Sequence, residues 1–153
     1  MNIRQVIFDE NSFGITQRSL KILRDILARS IDQHIAVFEV PTNDLCCGYL
    51  ILNRDTGTAT FTGDGFRIDG GGEGAAGYRS ACALLAMYHL WVLPLEPINI
   101  EEIYQGKTES VRQKLLSLAW QVAQNLDKKR FIKPSDYEPY YIHPVKWGPL
   151  RGI

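Results

Sequence analysis

The chain has 153 residues, of which 45% are hydrophobic, and its 17 basic residues balance 17 acidic ones. This length and apolar content predict one domain with a hydrophobic core. The balanced charge argues against nucleic-acid binding, because proteins that contact phosphates nonspecifically usually carry a basic surplus. No apolar run approaches the roughly 20 residues of a membrane-spanning helix, and the first residues lack a signal-peptide pattern, so we expect no membrane partner.

The three cysteines are Cys46, Cys47 and Cys82. An odd number with two adjacent members does not form a disulfide framework, so we interpret all three as reduced thiols of a cytoplasmic protein. Cys82 lies among small apolar residues and is expected in the core. The histidines are far apart in sequence, and we expect no metal site.

Residues 16–33 predict the first helix, because Leu20, Leu23, Leu27 and Ile31 recur at helical spacing on one face. A short strand is expected at residues 3–8, before the first helix. After this helix, the spacing of the apolar residues is no longer helical. Strand-like runs at 35–40, 47–53, 58–62 and 66–69 are separated by turn signals, which is typical of an antiparallel meander.

Residues 76–91 predict a second helix that is apolar on every side and therefore packed centrally. A short helix at 99–106 and a long amphipathic helix at 108–126 follow. The predicted fold class is α+β: a mainly antiparallel sheet of four or five strands, packed by about three helices in one domain over residues 1–130.

Residues 131–153 have a different composition, with four prolines, three tyrosines and one tryptophan but no helical period. A disordered segment would carry few aromatic residues. We therefore expect an extended C-terminal tail, docked either on its own domain or on a neighbouring subunit of a homo-oligomer.

The most informative stretch is residues 63–77, which hold seven of the 13 glycines. Its second half, residues 72–77, has the spacing G-x-G-x-x-G and stands between a strand-like run and a helix. Glycines let the backbone approach another group closely, and a helix start offers unpaired N–H groups. Such a place favours an anion, most often a phosphate. The upstream strands look like hairpins rather than the parallel βαβ unit of a dinucleotide-binding fold, so a loop that only permits tight helix packing is the alternative.

The charged residues around this loop define a candidate ligand site. Arg67 and Arg79 could pair with a phosphate, whereas acidic side chains could accept hydrogen bonds from a ribose or a base. The opposite interpretation pairs Arg67 with Asp69 and Arg79 with Glu73 at the surface. The full set of candidate ligand-binding residues is Arg67, Asp69, Gly72, Glu73, Gly74, Gly77 and Arg79.

The order helix, strand, hairpin, glycine-rich loop and helix over residues 35–91 loosely resembles the GNAT acetyltransferases. In that family a loop of pattern R/Q-x-x-G-x-G/A holds the pyrophosphate of acetyl-CoA. The matching register here is residues 69–74, with Asp69 where the family has arginine or glutamine. The resemblance implies an acyltransferase that uses acetyl-CoA.

Residues typical of catalysis form no recognisable constellation in the sequence. We therefore predict a protein that binds a nucleotide-like or other anionic small molecule without turnover and without a permanent cofactor. A GNAT-like acyltransferase is one alternative. An interaction or self-assembly module that acts through its tail is the other, since aromatic residues and arginine are enriched in interface hot spots.

Overall fold

The computed structural model describes residues 1–137 of the chain. Three main helices and a mixed β-sheet make up this part, which confirms the α+β class. The helices are α1 (Thr16–Arg29), α2 (Glu73–Met87) and α3 (Thr108–Asn125). The strands are β1 (Gln5–Ile7), β2 (Ile35–Pro41), β3 (Cys46–Asn53), β4 (Thr58–Phe61), β5 (Phe66–Arg67) and β6 (Val92–Pro94).

Short 3-10 helices complete the connections, at Glu10–Ser12, Glu101–Gln105, Lys128–Arg130 and Pro134–Asp136. The helix expected at 99–106 is the second of these, and it ends at Gly106 with a left-handed backbone, as a glycine C-cap does. None of the helices within residues 1–137 has the length and apolar character needed to cross a bilayer.

The sheet has six strands in the order β1-β4-β3-β2-β6, with β5 paired to β3. The prediction of a mainly antiparallel meander of four or five strands is wrong, because β1 pairs with β4 and β6 pairs with β2 in parallel. Turn signals reveal only hairpins between neighbouring strands, here β2–β3 and β3–β4. The two parallel partners are three-residue strands brought in from distant parts of the chain. Strand β1 lies within the short strand expected at residues 3–8, whereas no local signal marks β6 or either parallel pairing.

The sheet is covered on both faces. One core packs β-strand side chains such as Phe38 and Leu50 against α3, whose Leu115 is fully buried. The other packs Val37 and Ile51 against α1 and α2. Alternate residues of β2 and β3 enter opposite cores, which explains their continuous apolar sequences.

Helix α2 packs on one side rather than on all sides. Ala75, Gly77, Ala81 and Leu85 are its buried residues. The expectation that Cys82 is a core residue is wrong, because this side chain is exposed. Alanines also occupy the outer face of α2, and a small apolar residue can face solvent at little cost, so the apolar sequence did not imply burial.

Candidate functional site

The first part of the glycine-rich stretch serves packing. A methyl group on Gly65 would stand 2.5 Å from the carbonyl carbon of Ile15, so the backbone of α1's start could not lie where it does. Gly63 is similarly close to Ser12 and has φ of 87°. Gly77, within α2, would push a methyl group into Thr16. These glycines let α1, α2 and the end of β4 approach one another.

The second part, between β5 and α2, is open. Gly70 and Gly72 have φ of 89° and 90°, which requires glycine for conformational reasons. Gly71 differs: its φ is not positive, and a methyl group there would meet nothing within 4 Å. Among the glycines in residues 1–137, Gly71 alone has neither a positive φ nor a close neighbour to account for the absence of a side chain.

Helix α2 begins directly after this open loop. Gly72 is its N-cap, and no side chain caps the first turn. The first N–H groups of a helix have no partner within the helix, and the helix dipole adds partial positive charge there. The first turn of α2 can therefore donate hydrogen bonds to an anion, although Glu73 adds an acidic side chain to that turn.

A cleft of about 680 Å³ opens beside the loop. Arg67, Gly71 and Gly74 line it, and so do Thr42, Cys46 and Tyr104. Five chain segments meet there: residues 14–16, 42–46, 64–67, 71–74 and 100–105. The volume is in the range of small-molecule sites.

Asp64 holds the floor of the cleft together. Its carboxylate is buried, and Oδ1 accepts a hydrogen bond from the Gly14 N–H at 2.8 Å while Oδ2 accepts one from the Thr42 hydroxyl at 2.7 Å. Next to it, the Thr16 hydroxyl donates to the Gly65 carbonyl oxygen. These bonds satisfy a carboxylate that would be costly to bury alone, and they fix three loops around the cleft.

Tyr104 supplies an aromatic ring at the cleft's edge, with 65% of the residue exposed. Partial burial of its hydroxyl raises the pKa of Tyr104, and the nearby Asp64 carboxylate adds to the rise. The hydroxyl therefore stays protonated at neutral pH and can donate a hydrogen bond.

The sequence-predicted site residues divide into three groups. Arg67 and Gly74 line the cleft. Asp69, Gly72 and Glu73 belong to the exposed loop and the first turn of α2. Gly77 is buried against Thr16, and Arg79 is exposed further along α2; neither lines the cleft.

The surface pairs considered as an alternative are not formed. Within the described part of the chain, neither Arg67 nor Arg79 makes an ion pair with Asp69 or Glu73. The guanidinium of Arg67 is thus exposed at the cleft without an acidic partner among residues 1–137, which leaves it available to a bound anion.

Sequence reasoning missed the opposite side of the cleft. In the sequence, Asp64 followed by Gly65 indicates only a turn, and Thr42 and Tyr104 belong to no motif. They meet the loop through long-range packing, since Thr42 and Asp64 are 22 positions apart along the chain. A polar residue flanked by glycine and buried strands was the available signal for Asp64.

Other candidate groups do not converge on the cleft. His34 Nδ1 lies 3.1 Å from Asp55 Oδ2, and the His89 ring stacks on Tyr137 with centroids 5.1 Å apart. No three His, Cys, Asp or Glu side chains in residues 1–137 are grouped as a metal would need. The tail is described only to Tyr137, with Ile132 bridged to Ile35; its remaining aromatic residues and His143 lie outside the described residues.

Comparison with known proteins adds no identification, since no family model, curated protein or solved structure matches the chain. The resemblance to GNAT acetyltransferases thus stays a prediction.

Proposed function

We propose that the protein binds a phosphate-bearing, nucleotide-like small molecule in the cleft beside the start of α2. Gly71 is the observation that carries this proposal. It lines the cleft, and neither its backbone conformation nor its neighbours within residues 1–137 require glycine. The explanation that remains for glycine at this position is that the backbone must lie close to a bound ligand.

The charges and donors around Gly71 support an anionic group at this position. The first turn of α2 offers N–H groups without a side-chain cap, and Arg67 offers a guanidinium without an ion-pair partner in residues 1–137. Together they match the oxygens of a phosphate. Asp69 and Glu73 are exposed and can turn toward solvent or toward ligand hydroxyl groups.

The far side of the cleft supports a ligand that is larger than a bare phosphate. The exposed ring of Tyr104 can stack on a base, and the protonated hydroxyl can donate a hydrogen bond. The same loop is the register of the GNAT resemblance, so coenzyme A derivatives belong among the ligands to be tested.

Binding without turnover fits the chemistry of the cleft best. Both carboxylate oxygens of Asp64 accept structural hydrogen bonds, so this buried carboxylate is already engaged within the protein. As part of the proposal, we take the three free cysteines as reduced thiols of a cytoplasmic protein.

A thermal-shift screen tests the proposal. The full chain is heated with nucleotides, coenzyme A derivatives and phosphosugars, and a ligand of the folded state should raise the melting temperature by mass action. A compound that raises it should do so much less with Arg67→Ala, because a charge-assisted hydrogen bond is lost. The matched control is Arg24→Ala, an exposed arginine on α1 away from the cleft. If no compound of these classes shifts the wild type at millimolar concentration, the proposal fails.

A further inference from the structure

A second concave surface, the β2-edge groove, lies on a different part of the molecule. It follows the edge of β2 between two segments that pair with that strand. Strand β6 starts its pairing at Val37↔Val92, and Ile35 is bridged to Ile132. The groove between them has a volume of about 830 Å³, and β2 forms its floor.

Exposed aromatic residues flank this groove. Trp91, immediately before β6, is 79% exposed, and Tyr137, whose ring stacks on His89, is 48% exposed. The floor beside them is apolar, with Ala36 and Phe38 buried. Tryptophan and tyrosine next to an apolar pocket are the residues that most often dominate the binding energy of protein interfaces.

The charged side chains of residues 1–137 that line the groove are both basic. They are Lys129 and Arg130, and no acidic side chain of the described residues lines it. Lys129 and Arg130 make no ion pair within residues 1–137. The nearest acidic residues along the chain are Asp127 and Asp136, and the Asp127 carboxylate accepts a hydrogen bond from the Lys129 N–H.

We propose that the β2-edge groove binds an acidic segment of a partner protein that carries an apolar or aromatic anchor residue. The anchor would pack against Trp91 and the apolar floor, and its acidic neighbours would pair with Lys129 and Arg130. Complementary charge selects such a partner and speeds its association.

The same charge argument disfavours two other occupants. Residues 138–153 contain one acidic residue, Glu138, against Lys146 and Arg151, so they carry no acidic surplus. A second copy related by a two-fold axis would place one basic groove against another, and like charges facing each other across an interface are unfavourable.

Selection from a phage-displayed library of random dodecapeptides on the immobilised full chain tests the proposal. The enriched peptides should combine Asp or Glu with Trp, Phe or Leu. A synthetic copy of one such peptide should bind about tenfold more weakly, or worse, to Trp91→Ala and to the double variant Lys129→Glu/Arg130→Glu. Its affinity for the wild type should fall as salt is added, because the pairing is partly electrostatic.

The controls are Trp120→Ala and Arg24→Glu, which remove an exposed tryptophan from α3 and reverse an exposed charge on α1. Both should retain wild-type affinity, and all variants should keep the wild-type melting temperature. Neutral or basic consensus peptides, or undiminished binding to the groove variants, would overturn the proposal. So would a solution dimer that Trp91→Ala separates, or peptide binding that appears only after residues 138–153 are removed.

Discussion

Two glycines six residues apart in the same glycine-rich stretch have different roles. Gly65 lets the start of α1 lie against the end of β4, whereas Gly71 has open space around it and lines the cleft. A glycine in close contact with a neighbouring backbone and a glycine in open space should respond differently to the same methyl group.

Gly65→Ala should therefore lower the free energy of unfolding by about 1–3 kcal/mol, because the methyl group overlaps the backbone of Ile15. Gly71→Ala should leave it unchanged or raise it by up to about 1 kcal/mol, since alanine restricts the unfolded chain. Urea denaturation of both variants measures the difference. Equal losses at the two positions would show that Gly71 also serves packing.

Asp55 gives the stability a defined pH dependence. Hydrogen bonds from the backbone N–H and ring of His34 hold the pKa of Asp55 below its ordinary value of 3.8. A lowered folded-state pKa means that the ionised form stabilises the fold above the unfolded-state pKa, and that this contribution is lost as the pH falls through the folded-state value. Asp55→Asn should thus be less stable than the wild type at neutral pH.

The difference in unfolding free energy between Asp55→Asn and the wild type should shrink as the pH falls below about 4. Unfolding free energies measured by urea denaturation from neutral pH down into this range check it. A gap between Asp55→Asn and wild type that stays constant into acid would mean that the ionised carboxylate is not what stabilises the fold.

At the residue scale, local sequence was enough to find one side of the cleft and not the other. Arg67 and Gly74 stand next to a visible glycine cluster, so they could be predicted. The sequence could not predict that Asp64, Thr42 and Tyr104 lie near one another. Their proximity depends on the three-dimensional packing of segments that are distant in the chain. Gly77 fitted the G-x-G-x-x-G spacing, yet it lies against Thr16, because a glycine motif does not distinguish contact with a ligand from contact with a helix.

At the scale of elements, α2 shows that a hydrophobic helix sequence does not imply burial on every side. Its sequence is apolar on every side, but only one face packs on the sheet and α1. Its outer face includes Ala76, Ala83 and Ala86, and alanine is a strong helix former that costs little to expose. The existence of the helix was predictable, whereas its one-sided packing was not.

The pair Ala81 and Ala83 tests this packing. Ala81 is fully buried and Ala83 is exposed, two positions further along the same helix. Ala81→Glu should reduce the free energy of unfolding by about 3 kcal/mol or more, because a charge enters the core. Ala83→Glu should change it by less than about 0.5 kcal/mol. Comparable destabilisation by the two substitutions in thermal or urea melts would mean that both faces of α2 pack against other elements.

The sheet shows a similar division at this scale. The hairpins β2–β3 and β3–β4 follow from alternating strands and turn residues between them. Strands β1 and β6 pair in parallel with strands distant in sequence, and each has only three residues. A short strand at residues 3–8 could be expected from the sequence, but its parallel pairing could not. Strand β6 carries too little pattern to be recognised before its partner is known.

At the scale of the whole molecule, the sheet separates two cores. Leu27 of α1 is fully buried on one face, and Leu115 of α3 is fully buried on the other. Leu27→Val and Leu115→Val should each cost about 1–2 kcal/mol, through lost packing and reduced helix propensity.

The double variant should lose the sum of the two costs within about 0.5 kcal/mol, because side chains on opposite faces of the sheet share no contacts. Urea denaturation of the two single variants and the double variant gives the coupling directly. A coupling above about 1 kcal/mol would contradict the separation of the cores.

The most direct test of ligand binding at the cleft is an amide NMR titration of the ¹⁵N-labelled full chain. The titrant is the nucleotide or coenzyme A derivative that raises the melting temperature most. We predict that shift changes concentrate at residues 70–74 and at Thr42, Asp64 and Tyr104, and that Gly71→Ala weakens binding without unfolding the protein. Shift changes centred on Trp91 and Tyr137, or wild-type affinity in Gly71→Ala, would contradict the assignment of the cleft as the binding site.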